Sequence, residues 1–259
     1  MLTLFVLISI STIAHEFWVA PTKYSCSVNE PNLINCYVGE DFTPTIWANR
    51  KLRTKRVRHF SYDKMTNITD LFVQEDSLPI EMFFKTAGNH LIAVESKPSY
   101  IEMKGSAFND YLKEDGMLNI LEYRKRNNLL KQRSKEFYQR CAKTLLQIGG
   151  KNDSTFKLNT GMALEIIPLN NPYDLSNDTL SVYFEFKGKP LKKYQVRTWC
   201  KKSGKLVVKS FYTTNDSGIA KLPVNAKGEW MISLVKMEIL NQPSKANYES
   251  YWGSYTFQR

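Results

Sequence analysis

The sequence has few of the residues and motifs on which most enzyme and metal sites depend. It contains three histidines and four cysteines in 259 residues, and no Cys-x-x-Cys pair is present. A thiolate zinc site or a thioredoxin-type motif is therefore unsupported. The sequence also has no nucleophile elbow, no His-Glu-x-x-His motif and no phosphate-binding loop. These absences argue against an enzyme.

Long apolar runs are missing beyond the first residues, so the processed protein is not expected to be an integral membrane protein. Residues 1–14 form an uncharged apolar leader that ends in Thr12-Ile13-Ala14, and this pattern predicts a cleavable export signal. Cleavage after Ala14 would make His15 the first residue, with an α-amine beside its ring Nδ1. Two such nitrogens can chelate a borderline metal ion. The predicted location is periplasmic or secreted.

The cysteines suggest one cross-link. Cys26 and Cys36 flank the turn-like segment Asn29-Glu30-Pro31-Asn32, which predicts a disulfide-bridged hairpin in an oxidising compartment. Cys141 and Cys200 are interpreted as small buried hydrophobic residues.

Positive charge is concentrated in one segment of a chain whose net charge is +11. The pattern predicts a solvated strand-and-loop face, with an anionic envelope surface as the alternative partner. Export and the lack of interleaved aromatic residues argue against nucleic acid. The positive residues of this segment are Arg50, Lys51, Arg53, Lys55, Arg56 and Arg58.

Hydrophobic periodicity predicts a mainly β protein with a helical insert. Residues 15–105 contain short apolar runs between turn residues, which predict a β domain. Within it, His90 opens a strand at the edge of a sheet. Residues 106–150 follow a helical period in three stretches, the last one starting at Ser134. Residues 160–259 return to a two-residue period with regular turns, which predicts a second β-sandwich-like domain.

Seven motifs occur in order along the chain and resemble those of an exported bacterial family of unknown function. This family is related to the NikM-type periplasmic components of nickel and cobalt uptake systems. The C-terminal half also resembles transthyretin-like or carboxypeptidase-regulatory sandwiches, which usually serve as binding modules or spacers rather than as enzymes. The seven motifs are His15-Glu16-Phe17-Trp18, Val38-Gly39-Glu40-Asp41-Phe42, Gly88-Asn89-His90-Leu91-Ile92-Ala93, Phe108-Asn109-Asp110-Tyr111-Leu112, Leu145-Leu146-Gln147-Ile148-Gly149, Pro168-Leu169-Asn170-Asn171-Pro172-Tyr173 and Glu249-Ser250-Tyr251-Trp252.

The NikM resemblance implies a metal held by the terminal amine and an early histidine. The hypothesis names His15 as a bidentate ligand, His90 as its partner and His59 as the third, for one nickel, cobalt or copper ion. Glu16 is the nearest carboxylate. The function implied is a metal-binding or metal-uptake accessory protein that works with a membrane complex. In the plainer alternative, His90 bonds a loop carbonyl and His15 lies in solvent or caps a strand.

A different class of function stays open, that of a non-catalytic envelope module that binds carbohydrate or protein. Trp18, Tyr24 and Trp47 could stack on sugar rings, although aromatic residues at such positions more often fill a core. The carboxylates around Asp115 resemble an exposed helix face.

Overall fold

The computed structural model describes residues 15–62, 64–74, 76, 78–241 and 245–259. The predicted export signal at residues 1–14 lies outside them. The helices are α1 (Arg50–Arg53), α2 (Thr69–Val73), α3 (Gly105–Glu114) and α4 (Leu118–Arg126). The strands are β1 (Glu16–Pro21), β2 (Ser25–Cys26), β3 (Pro31–Gly39), β4 (Thr45–Ile46), β5 (Thr54–Ser61), β6 (Lys64–Asn67), β7 (Ile80–Phe83), β8 (Gly88–Ser96), β9 (Ser99–Met103), β10 (Ser134–Ile148), β11 (Leu164–Pro168), β12 (Thr179–Phe186), β13 (Lys189–Pro190), β14 (Gln195–Lys202), β15 (Lys205–Thr213), β16 (Ile219–Pro223), β17 (Glu229–Ile239) and β18 (Tyr248–Gln258).

One large sheet forms the centre of the molecule. Its strands follow the order β15-β14-β17-β18-β10-β8-β5-β6, and β2 and β9 also pair with β10. The pairing of β10 with β18 is parallel, whereas β17 and β18 are antiparallel. This sheet takes strands from both of the predicted β domains. The domain boundaries at 105, 150 and 160 stay predictions, but they do not separate independent sheets.

Smaller sheets cover the two faces of the large one. Leu91 and Ala93 of β8 pack against the sheet of β11, β12, β13 and β16, while Ile92 and Val94 pack against the sheet of β1, β3, β4 and β7. Successive strand residues point to opposite faces, so the large sheet is the middle of three layers. The prediction of a mainly β, sandwich-like fold is confirmed.

The helical prediction is confirmed for two of its three stretches. Helices α3 and α4 bury Phe108, Tyr111 and Leu112 against the face of β17 and β18. The third stretch is wrong, because residues 134–148 form the central strand β10. Cys141 of β10 faces one small sheet and Ala142 faces the other. A strand that is buried on both faces needs apolar residues at odd and at even positions, so it does not alternate between apolar and polar residues. The resulting spacing of apolar residues in β10 resembles the apolar stripe of a helix.

The basic segment is only partly solvated. Arg56 and Arg58 bond the buried carboxylate of Glu95, with the Arg58 guanidinium 3.0 Å from Oε1, and Lys55 lies 3.4 Å from Oε2. Arg50 is buried and donates to the carbonyl of Leu78. Part of the segment that was predicted to be a solvated face therefore contributes ion pairs and hydrogen bonds to the fold. Among the described residues, none of the helices combines the length and hydrophobicity that a membrane crossing requires.

Candidate functional site

Two of the three predicted metal ligands lie side by side. The rings of His59 and His90 stack with centroids 5.0 Å apart, and His59 Nε2 is 2.7 Å from His90 Nδ1. His90 Nε2 is 2.9 Å from the Thr86 carbonyl, so this nitrogen carries the proton and Nδ1 accepts from His59. The plainer expectation, that His90 bonds a loop carbonyl, is confirmed. The edge position was wrong, because β8 lies between β10 and β5.

Burial keeps this histidine pair neutral. It lowers the pKa of His59 to about 4, with smaller contributions from His90 and Lys64, and it also lowers the pKa of His90. Neutral rings can bind metals, but metal–nitrogen bonds of about 2.0–2.1 Å at a tetrahedral angle would hold the two nitrogens about 3.3 Å apart. The hydrogen bond between the facing nitrogens is shorter than that. The pair as arranged is a packing feature of the core.

His15 lies elsewhere. Its carbonyl accepts from Arg140 Nη1 at 3.1 Å, and Arg140 precedes Leu146, the β10 partner of His90, by six residues, about 20 Å along the strand. The structure therefore does not bring His15 to His90. No group of three or more His, Cys, Asp or Glu side chains within the described ranges is placed to hold a metal ion.

What His15 does approach is a carboxylate. Its Nδ1 lies 3.3 Å from Glu40 Oε1, and no group in the described part of the chain makes a hydrogen bond to that nitrogen. Glu40 follows β3, whose last residue, Gly39, is paired with Glu16. The antiparallel pairing of β1 with β3 thus places the predicted ligand beside a carboxylate that the sequence analysis did not select.

Next to this pair lies a groove over the face of β14 and β15. Register places Arg197 opposite Phe211 and Trp199 opposite Lys209, and these four side chains form its floor. The walls are the start of β1, the turn after β3 and the end of α3. The groove encloses about 370 Å³. Its lining residues are Glu16, Glu40, Asp41, Glu114, Asp115, Arg197, Trp199, Lys209 and Phe211.

Acidic side chains outnumber basic ones in the groove, although the net charge of the whole protein is +11. Five carboxylates line it against two cations. Glu114 and Asp115 lie at the C-terminal end of α3, where the helix dipole already favours positive charge. Lys209 is paired with Asp41 at 2.6 Å. The groove is therefore suited to a cation.

A buried ion cluster lies beneath it. Arg197 Nη2 is 2.7 Å from Glu16 Oε1, and its Nη1 donates to Asp115 Oδ1. Burial raises the pKa of Asp115 above its ordinary range, although the charge of Arg197 opposes that change. Ser233 Oγ donates to Glu16 at 3.3 Å. The start of β1 is thus tied to β14, β17 and the end of α3.

Two groups in the groove wall and floor lack partners. Asp115 and Trp199 are 9% and 3% exposed, and neither Asp115 Oδ2 nor Trp199 Nε1 has a hydrogen-bond partner among the residues the structure describes. Buried polar atoms are nearly always bonded. The protein itself covers both atoms, so neither is open to a ligand in the groove as the side chains stand.

Sequence reasoning missed most of this groove. It treated Asp115 as part of an exposed helix face, but the side chain is buried against Arg197. Arg197 and Trp199 had no motif around them and stood out only as members of an alternating strand. The aromatic residues Trp18, Tyr24 and Trp47 are each buried in the core rather than available to sugars.

The predicted disulfide is not formed. All four cysteines fall in described segments, and each is a free, buried thiol. Cys26 lies in β2, which pairs with β10, whereas Cys36 lies in β3 of a different sheet. The hairpin that the spacing predicted does not exist, because these two strands do not pair with each other.

One family of proteins matches the chain. It is described as a domain of unknown function, DUF4198, and the match spans residues 13–238. No curated protein sequence matches. The relation to NikM-type proteins is not among these findings.

Two solved structures that are similar to the chain share little of its sequence. The D0-D1 domain of Intimin is 12% identical with a TM-score of 0.22, over 94% of this chain and 98% of that one. Salmonella alpha-2-macroglobulin reacted with methylamine is 9% identical with a TM-score of 0.24, over 93% of this chain and 14% of that one. Similarity this weak carries no argument about function.

Proposed function

The chain belongs to the DUF4198 family, and on that premise we propose that it is an exported binding protein that holds one divalent transition metal at His15. Export to the periplasm or the exterior, removal of residues 1–14 and service to a metal-uptake membrane complex are parts of this proposal. The metal is nickel, cobalt or copper, since borderline ions suit nitrogen ligands.

The observation that carries the proposal is the approach of His15 to Glu40. Their Nδ1 and Oε1 atoms are 3.3 Å apart without a hydrogen bond. Metal bonds of about 2.0–2.2 Å place a nitrogen and an oxygen ligand about 2.9 Å apart at the right angle that nickel and copper favour and about 3.4 Å apart at a tetrahedral angle, and the observed separation lies between these values. The two atoms are therefore spaced as ligands of one ion.

The third donor comes from processing. Cleavage after Ala14 exposes the α-amine of His15, which closes a chelate ring with Nδ1 of the same residue. The groove beside it favours positive charge, which raises the local concentration of a cation. An amine, an imidazole and a carboxylate leave further coordination positions for water or a small ligand.

The test begins with the terminus. Mass spectrometry of the exported protein is expected to show His15 as the first residue. Calorimetric titration with nickel, cobalt and copper is then expected to show one site that His15→Ala abolishes and Glu40→Gln weakens. Affinity is expected to fall below about pH 7.7–8.0, because the amine must lose its proton to bind.

The matched control is His59→Gln, which changes a histidine of the core pair. Metal affinity in this variant should equal that of the unmodified protein. A mature terminus other than His15, or metal binding that survives His15→Ala, would overturn the proposal.

A further inference from the structure

A second cleft opens between the large sheet and the small sheet that contains β11 and β12. We propose that this cleft binds a sugar-sized ligand through an acidic group, a carboxylate or a phosphate, which Lys55 and Arg56 hold. The cleft encloses about 510 Å³, a volume within the range for small-molecule sites. The inference goes beyond the metal proposal, and neither His15 nor Glu40 takes part in it.

A β-bulge brings two neighbouring cations to one wall of the cleft. The pairing of β5 with β8 shifts its register between Thr54 and Arg56, which makes Lys55 an extra residue in β5. In a regular strand Lys55 and Arg56 would point to opposite faces of the sheet. Here both reach Glu95, with Arg56 Nε 3.0 Å from Oε1 and Lys55 Nζ 3.4 Å from Oε2. Bulges are common next to active sites, where they redirect a side chain in this way.

This wall carries more positive charge than its one carboxylate neutralises. Arg58 Nη2 also lies 3.0 Å from Oε1 of Glu95, so three cations share a carboxylate whose side chain is 8% exposed. Burial and the charge of Arg56 lower the pKa of Arg58, which means that the two guanidinium groups repel each other. An anionic group bound at this wall would offset the repulsion.

The two outer cations are open to a ligand. The side chains of Lys55 and Arg56 are 54% and 39% exposed, whereas that of Arg58 is 11% exposed. Arg56 donates to Glu95 through Nε and Nη2, and its Nη1 makes no hydrogen bond with any residue that the structure describes. An acidic group can therefore accept hydrogen bonds from Arg56 Nη1 and Lys55 Nζ while Glu95 keeps its place.

The rest of the cleft offers acceptors for hydroxyl groups. Glu185, at the end of β12, lines the other wall and accepts from Asn159 Nδ2 at 2.6 Å. Gln139 donates its amide to Glu249 at 2.9 Å, and its carbonyl oxygen has no partner in the described part of the chain. Because Glu185 repels an anion, the acidic group of a ligand points towards β5 and its neutral end towards β12. A sugar acid or a sugar phosphate combines one anionic group with several hydroxyl donors.

The experiment compares three probes that share a sugar ring. Glucuronate carries a carboxylate, glucose 6-phosphate carries a phosphate, and glucose is neutral. Calorimetry on the full protein is expected to show binding of glucuronate, of glucose 6-phosphate or of both, at least about tenfold tighter than binding of glucose. Which acidic probe binds distinguishes a sugar acid from a sugar phosphate as the source of the anion.

The position of the bound probe is read from amide chemical shifts. Gly161 and Gly188 line the cleft, and their amide signals are expected to shift as the acidic probe is added. The protein is first freed of metal with a chelator, which is then removed by gel filtration, because an acidic probe could otherwise bind a metal ion at His15. Failure of the metal proposal therefore leaves this result interpretable.

Variants then assign the contacts. Lys55→Gln removes a half-exposed charge and should weaken binding of the acidic probe about three- to tenfold, and Arg56→Gln about tenfold or more. Should Arg56→Gln fail to fold, Lys55→Gln tests the same charge preference. Lys205→Gln is the matched control, because it removes one exposed positive charge from β15, at the far edge of the large sheet from β5.

Four outcomes would overturn the inference. One is that neither acidic probe binds at millimolar concentration, and another is that glucose binds as tightly as the acidic probes. The third is an affinity that Lys55→Gln leaves unchanged or that Lys205→Gln lowers by the same factor. The last is a set of shifted amide signals that excludes both Gly161 and Gly188.

Discussion

At the scale of single residues, Glu136 is a carboxyl group held in the core. It is 1% exposed, accepts from Tyr111 at 3.0 Å and from Ser250, and its Oε2 has no partner among the described residues. Burial raises the pKa of Glu136 to about 7, more than these hydrogen bonds lower it. The folded protein therefore holds a proton here that the unfolded chain releases near pH 4.3.

This difference predicts how stability depends on pH. Between about pH 4.3 and 7 the folded state binds more protons than the unfolded state, so stability falls as the pH rises through this window. Replacing Glu136 by Gln keeps an acceptor for Tyr111 and removes the titration. At pH 8 the variant is expected to be more stable than the unmodified protein by on the order of 3–4 kcal/mol.

Urea denaturation at intervals from pH 5 to 8.5 measures this effect. The curve of stability against pH should be flatter for Glu136→Gln than for the unmodified protein. Parallel curves for the two proteins would show that Glu136 is ionised in the folded state.

Replacement of a second buried carboxylate, that of Glu165, is expected to cause a large loss of stability. Lys143 and Glu165 form an ion pair between the large sheet and β11, with 1% and 0% side-chain exposure. Glu165 also accepts from Thr160 and Met162, which fixes the loop before β11. Glu165→Gln leaves the Lys143 charge buried without its counter-ion and should cost about 3–5 kcal/mol.

The comparison is the exposed pair of Lys187 and Glu238, whose charged atoms are 2.7 Å apart. Glu238→Gln should change the free energy of unfolding by no more than about 1 kcal/mol, since water screens this pair. Thermal melts of both variants check the contrast. Equal losses would mean that burial of the Lys143 pair is unimportant.

At the scale of elements, the sequence predicted most strands and the helices α3 and α4, because their apolar periods are regular. Strand β10 was not predictable as a strand, because both of its faces are buried and its apolar residues therefore do not alternate with polar ones. The groove was not predictable either. Its charges come from β1, the turn after β3, the end of α3, β14 and β15, and nothing in the order of residues shows that Asp115 meets Arg197.

The crowding at Gly39, the residue before the turn that follows β3, predicts that a larger residue there disturbs the turn. A Cβ at Gly39 would lie 1.8 Å from the carbonyl oxygen of Thr43, so Gly39→Ala must displace the turn that carries Glu40. We expect a loss of about 1–3 kcal/mol in stability and weaker metal binding. Gly204→Ala is the control for metal affinity: an added Cβ there meets no atom within 4 Å, although the φ of +74° strains any side chain, so this variant should also lose some stability.

Thermal melts and metal titrations of both glycine variants check this prediction. Metal affinity in Gly204→Ala should match that of the unmodified protein. Unchanged stability and metal affinity in Gly39→Ala would show that the turn can move without consequence for its ligand.

At the scale of the whole molecule, the cysteines are distributed through the packed layers. Burial raises the pKa of Cys36 and of Cys141 to about 12 and that of Cys200 to about 11. Cys26 and Cys36 share the core between the N-terminal sheet and the large sheet. The sequence showed their spacing but not that separate sheets hold them.

Thiol labelling tests this arrangement. The native protein should react slowly with a thiol reagent, since the reactive thiolate is scarce in a buried site, and all four thiols should react in denaturant. Reducing agent should leave the melting temperature unchanged. If only two thiols react in denaturant instead of four, the predicted disulfide is present and the arrangement described here is wrong.

The position of β18 has a consequence for when the protein can fold. This strand lies inside the large sheet between β17 and β10, and its Tyr248 pairs with Glu136, more than a hundred residues earlier. Contacts so distant in sequence make folding slow. The central sheet stays open until residues 248–258 have left the ribosome, so the fold is completed only after synthesis of the chain has almost ended.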